Sequence, residues 1–140
     1  MRPLRLMIID PHDIFRRSAY NYALQCREFR SVEVAAGYDE ALLLKAQHLP
    51  DLILIDVVIF STDPGIINTL EKPKLSNPKL DVLALMLFKE KCLERCQFML
   101  PLVSGIIFKE NFTEGLTDYL AAKHTINRGC SNRPFKGVDQ

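Results

Sequence analysis

Apolar residues in this chain come in short unbroken runs, most of them closed by a charged residue. Leu52-Ile53-Leu54-Ile55 follows Asp51 and ends at Asp56. A run of that length, β-branched and apolar on both faces, predicts a strand buried on both sides, as in a parallel sheet. Leu4 to Ile9 is apolar except for Arg5 and ends at Asp10; Val82 to Leu87 is wholly apolar; Gly105 to Phe108 ends at Lys109. Ser31 to Tyr38 reads as a further strand, with Val32 and Val34 alternating at its start. Helical spacing fills the intervals. Phe15, Ala19, Tyr22, Ala23 and Cys26 share one face, with Arg16, Arg17 and Asn21 outside and Asp13 as the cap. Asp39 caps a second helix of good helix formers, closed by Pro50. Asp63 caps a third that opens at Pro64, with Ile66, Ile67 and Leu70 inward. A fourth runs from about Lys89 to Gln97, its stripe made by Phe88, Cys92 and Cys96. A fifth runs from Glu110 to Lys123, with a candidate capping box at Asn111 to Glu114 and a buried stripe of Leu116, Tyr119 and Leu120.

Five repeats of strand then helix predict an α/β fold: a doubly wound five-stranded parallel sheet with helices on both faces. Residues 1–123 make the domain, and 124–140 read as a linker or flexible tail. Composition adds bounds. At 140 residues the chain has the length of one domain, and 48% hydrophobic with 25% charged residues is ordinary for a globular protein. A net charge of +1 gives no strong field toward nucleic acid or an anionic membrane. The first apolar stretch is too short for a signal-peptide core or a membrane span, so a cytoplasmic protein with no membrane partner is expected. Cys26, Cys92, Cys96 and Cys130 are expected as free thiols, Cys92 and Cys96 packing together on one helix face, and His12, His48 and His124 are scattered.

Ligands of such sheets bind just outside the carboxyl ends of the strands. Asp10, Asp56 and Lys109 stand at three of those ends. Each alone has a plain structural role, since a strand-end Asp caps the next helix and a strand-end Lys is solvated. Together they outline phosphoryl chemistry. A carboxylate attacks a phosphoryl donor to give an acyl phosphate, a hard cation such as Mg²⁺ binds the oxygens, and a lysine supplies a fixed point charge. In those roles Asp56 is the phosphoacceptor, Asp10 a metal ligand and Lys109 the phosphate partner.

The stretches Leu6-Met7-Ile8-Ile9-Asp10-Pro11-His12-Asp13-Ile14-Phe15-Arg16, Pro50-Asp51-Leu52-Ile53-Leu54-Ile55-Asp56 and Gly105-Ile106-Ile107-Phe108-Lys109 carry a family resemblance. Over about residues 4–122 the chain resembles a response-regulator receiver domain of two-component signalling, of the subfamily usually joined to a helix-turn-helix DNA-binding domain. The resemblance implies a flavodoxin-like receiver fold and a signalling module rather than an enzyme. It implies phosphoryl transfer from a histidine kinase to Asp56, with Mg²⁺ held by Asp10 and Asp56 and Asp13 as a further candidate. It also implies a switch face at the fourth helix, fifth strand and fifth helix, and a homodimer as one mode of action. DNA would be reached only through a domain not present in this chain.

The chain departs from the family pattern at four places. Pro11 stands where a second acid, the usual direct Mg²⁺ ligand, is expected. Met86 (or Leu87, with a one-residue slip) stands where a hydroxyl residue binds the phosphoryl group. Ile106 stands for the switch aromatic. Phe60 stands where Pro is expected, and Asp63-Pro64-Gly65 comes late. These losses point to a kept fold with Mg²⁺ affinity weak or lost and the phosphorylation switch impaired. The output is then protein–protein interaction or dimerisation, with a histidine kinase or another signalling protein as partner. A working receiver that takes a phosphoryl group on Asp56 is the alternative. A small flavin or nucleotide binder is the third reading, and Asp10-Pro11-His12-Asp13 lacks the glycines its phosphate loop needs.

Overall fold

The computed structural model describes residues 2–37, 40, 49–62, 65, 79–87 and 103–128. Within them the strands are β1 (Leu4–Ile9), β2 (Phe29–Ala35), β3 (Leu52–Asp56), β4 (Asp81–Met86) and β5 (Gly105–Phe108). Neighbouring strands are parallel and form one sheet in the order β2-β1-β3-β4-β5. The helices are α1 (Asp13–Leu24), α2 (Val57–Thr62) and α3 (Phe112–Arg128), the last entered through a 3₁₀ turn at Lys109–Asn111. The helices expected from Asp39, and from Lys89 to Gln97 with Cys92 and Cys96, fall largely or wholly outside the described residues, as do Asp63 and Pro64.

The unbroken apolar runs become strands because both faces of the sheet are covered, and their side chains sort by parity. Leu6, Ile8, Leu52, Leu54, Leu83 and Leu85 pack with Ala19 and Ala23 of α1 and with Phe112, Leu116, Tyr119 and Leu120 of α3. Met7, Ile9, Ile53, Ile55, Val82, Ala84 and Met86 form the opposite core with Val57 and Ile59 of α2. Gly115 lets α3 lie close on β5, since a Cβ there would sit 3.1 Å from Cγ2 of Ile107.

Several expectations move. β2 begins at Phe29 and ends at Ala35 instead of running from Ser31 to Tyr38. It is an edge strand, and its pairing with β1 starts at Leu4↔Phe29 across an irregularity before Arg5. Asp13 is the first residue of α1, not its cap; the cap is His12, whose carbonyl accepts from the Arg16 N–H at 2.9 Å. α2 starts at Val57, where the pattern marked no helix, because Oδ1 of Asp56 accepts from the Val58 N–H at 2.7 Å and caps the turn; the helix expected behind Asp63 lies outside the described residues. α3 continues to Arg128, past the expected end at Lys123.

The end of the sheet that holds the strand N-termini is pinned by two aspartates. Asp51 Oδ2 accepts from the Arg5 N–H at 2.9 Å, and Oδ1 pairs with Arg2 at 3.1 Å. Asp81 accepts from the Tyr119 hydroxyl, from Lys123 Nζ at 3.0 Å and from the Ser104 hydroxyl at 3.4 Å, which ties α3 to β4. Burial, then the hydrogen bond to Asp81 and its charge, hold the Tyr119 phenol well above the usual tyrosine range. Its proton is therefore bound more tightly in the fold than in the unfolded chain. That part of the stability is whole below about pH 10 and is lost as pH rises above it. Tyr119→Phe is expected to cost about 1–2 kcal/mol in urea denaturation at neutral pH. The variant should also show a shallower loss of stability above about pH 10 than the parent; equal slopes would contradict the clamp.

Candidate functional site

The opposite end of the sheet carries the candidate chemistry. Asp10 follows β1 directly, Asp56 is the last residue of β3 and Lys109 is the first residue after β5. β1 and β3 are neighbours, so the two carboxylates converge. β5 is not beside β3, because β4 lies between them. Two strand spacings amount to roughly 9–10 Å, and the length of the Lys109 side chain closes that gap. Its Nζ lies 2.5 Å from Asp56 Oδ2 and 2.8 Å from Asp10 Oδ2. Asp10 is 0% and Asp56 1% exposed, and the Lys109 side chain 8%. The structure thus brings together the three residues that the sequence singled out.

Each carboxylate also organises backbone. Asp10 Oδ1 accepts from the His12 N–H at 2.8 Å, while the Asp10 N–H reaches the Ala35 carbonyl at 3.0 Å. Asp56 spends Oδ1 on Val58 and leaves Oδ2 facing Lys109. Asp10 Oδ2 is fully buried and ion-pairs with Lys109 Nζ at 2.8 Å.

Three residues join the site that pattern reasoning left outside it. His12 Nδ1 lies 2.9 Å from Asp10 Oδ1, 3.0 Å from Lys109 Nζ and 3.6 Å from Asp56 Oδ2, with the side chain 53% exposed. Arg16, expected on the outer face of α1, turns back and donates to the Asp10 carbonyl at 2.7 Å. Phe15 lies under the Lys109 ammonium at 4.7 Å and meets the Phe112 ring edge to face at 5.3 Å. The signal for His12 was its place two residues past a strand-end Asp, not its distance from other histidines. Asp13 does not join: its side chain is 76% exposed and pairs with Arg16 at 2.5 Å.

Pro11, Met86 and Ile106, the positions where the resemblance expects an acid, a hydroxyl and an aromatic, supply no side-chain hydrogen-bond donor. Pro11 is exposed, Met86 is buried in the apolar core at the end of β4, and Ile106 packs against that same core. A thioether offers a weak acceptor and no donor. Asp10, His12 and Asp56 each bring one ligand atom into a group within 4.8 Å of one another. Two of these are carboxylates, as Mg²⁺ requires. The third is an imidazole nitrogen, and Mg²⁺ prefers oxygen ligands in a near-octahedral shell. Asp10 and Asp56 would thus hold Mg²⁺ with water completing its shell, and the imidazole of His12 adds no oxygen donor.

A groove lined by Pro3, Tyr22, Cys26, Thr117 and Leu120 opens between α1 and α3 at the other end of the sheet, away from these charges. Burial, then the charge of Glu28, pushes the Cys26 thiol up, offset in part by its contact with the Tyr22 carbonyl. That leaves Cys26 a poor nucleophile.

No protein-family model matches the chain, and no curated protein matches it. Solved structures do. A structure of the P1 domain of CheA3 in complex with CheY6 from R. sphaeroides matches with TM-score 0.62 and 23% identity, over 78% of this chain and 84% of that one. The isolated REC domain of RcsB from Salmonella enterica serovar Typhimurium, solved with the phosphomimetic BeF3-, matches with TM-score 0.62 and 18% identity, over 95% and 94%. A LuxR-family two-component response regulator from Aurantimonas sp. SI85-9A1 matches with TM-score 0.61 and 19% identity, over 86% of each chain. The fold is therefore that of response-regulator receiver domains, a flavodoxin-like five-stranded sheet. No helix among the described residues is long and apolar enough to cross a membrane.

Lys109 compensates two buried charges at once, so its loss strands both. Lys109→Met is expected to destabilise the fold by about 3–5 kcal/mol. Adding Asp56→Asn, which keeps the Oδ1 acceptor for Val58, is expected to recover a large part of that loss. Urea denaturation of the single and double variants checks this, and a double variant no more stable than Lys109→Met would refute the charge argument.

Proposed function

We propose that this chain is a receiver module of two-component signalling that acts through contacts with other proteins, and that phosphoryl transfer to Asp56 is impaired in it. The observation that carries this reading is the pairing of a receiver-type charge cluster with positions 11, 86 and 106 that supply no ligand. Asp56 Oδ2 is the carboxylate oxygen left to attack phosphorus. A phosphoryl group formed on it would meet the Lys109 ammonium and the imidazole of His12. It would find a thioether on the β4 side, and no second acid beside Asp10 to hold Mg²⁺. Developing charge on the phosphoryl oxygens would then be stabilised from one side only, and electrostatic stabilisation is usually the largest catalytic contribution.

The partner is expected to be another signalling protein, a histidine kinase or a second copy of the chain. Support comes from the receiver fold itself and from the neighbour solved as a P1 domain of CheA3 with CheY6. The flavin or nucleotide reading lacks support: the turn after β1 has no glycine, and Asp10 already uses the His12 N–H there.

The test is incubation of the full chain with Mg²⁺ and beryllofluoride or a small acyl phosphate, followed by intact mass and fluorine NMR. The parent chain is expected to stay unmodified. Pro11→Asp combined with Met86→Thr is expected to gain an adduct that Asp56→Asn removes. A stoichiometric adduct on Asp56 of the parent chain would establish the working-receiver reading instead.

A further inference from the structure

We propose that Phe15 is a positioning residue: the face of its ring holds the Lys109 ammonium where that ammonium bridges Asp10 and Asp56. This role is independent of whether Asp56 accepts a phosphoryl group.

Lys109 has far to reach. β4 lies between its own strand and β3, so the side chain crosses the end of β4 to meet Asp56. A lysine stem has many rotamers, and ordering it costs conformational entropy. Polar partners fix only its tip, through Asp56 Oδ2 at 2.5 Å, Asp10 Oδ2 at 2.8 Å and His12 Nδ1 at 3.0 Å. Three N–H donors thus face three polar groups. The end of β4 adds no polar hold, because Met86 is buried in the apolar core.

The Phe15 ring meets the same ammonium from α1, with Nζ 4.7 Å from the ring centroid. The negative face of an aromatic ring attracts a cation within about 6 Å, and more strongly when the cation is cut off from water. The Lys109 side chain is 8% exposed, so this ammonium is largely desolvated. A leucine in the same place would fill space and supply no such field.

The ring is itself fixed from two sides. Phe15 is in the first turn of α1, whose start is set where Asp10 Oδ1 accepts from the His12 N–H and the His12 carbonyl accepts from the Arg16 N–H. One turn therefore places both a carboxylate and the ring that steers its counter-charge. On the other side Phe112 meets Phe15 edge to face, with centroids 5.3 Å apart and planes at 77°. Phe112 closes the 3₁₀ turn that Lys109 opens. Lysine and two rings thus form a closed circuit of contacts between the start of α1 and the start of α3.

The experiment replaces Phe15 in the full chain with phenylalanines of increasing ring fluorination, up to the trifluoro analogue. Fluorine withdraws charge from the ring face and leaves the ring's shape nearly unchanged. The readout is the acetylation rate of Lys109 by acetic anhydride, followed by peptide mass mapping, with Lys79 and Lys123 as internal references. The Lys109 rate is expected to rise stepwise with fluorination, by at least about threefold at the trifluoro analogue, while both reference rates stay constant. Phe15→Leu is expected to raise it at least as far. A Lys109 rate that does not change across the fluorinated series would reduce Phe15 to packing and overturn the proposal, whatever Phe15→Leu does. A rise shared by Lys123 would mean general loosening of the fold and would overturn it equally.

Discussion

A single ammonium group compensates two carboxylates that the fold takes out of water at the carboxyl edge of its sheet. Burying one uncompensated charge costs several kcal/mol, and two facing carboxylates add their repulsion. The arrangement holds because Lys109 reaches across the end of β4 and because each carboxylate has a second duty. Asp10 fixes the turn that leads into α1, and Asp56 caps α2. These helices cover opposite faces of the sheet. One charge balance therefore sits at the root of both layers.

Much of this was legible from the order of residues. Four strands announced themselves because strands buried on both faces read as unbroken apolar runs, and the charged residue at the end of three of them marked the site. β2 was harder, since an edge strand is half-buried and Phe29-Arg30-Ser31 breaks its pattern. α2 was not marked because Val57 to Phe60 continue the apolar run of β3, and only the strand-end Asp56 that caps the helix sets the break. Arg16 and His12 were hidden for a related reason. Helical periodicity assigns Arg16 to solvent, and only the turn made by Asp10 brings its guanidinium back to the Asp10 carbonyl. That Lys109 meets Asp56 across an intervening strand depends on side-chain length, which no run pattern encodes.

The site's asymmetry follows from the same cause. Its polar groups come from the β1 and β3 sides and from one long side chain. The β4 side contributes Met86, whose buried thioether belongs to the apolar core. The acceptors of Asp10, Asp56 and His12 all converge on the Lys109 ammonium, so the fold's own lysine supplies the positive charge that they face.

Phe15 has a consequence beyond holding a lysine. Its ring touches Phe112 edge to face, and Phe112 touches Tyr22 at 6.1 Å in the same manner. Tyr22 in turn lines the groove between α1 and α3 and shares a hydrogen bond with Thr117 at 3.0 Å. Three rings in series therefore span the molecule from its charged edge to its outer groove. The charged edge and the groove therefore share one aromatic layer, with Phe112 the ring common to both.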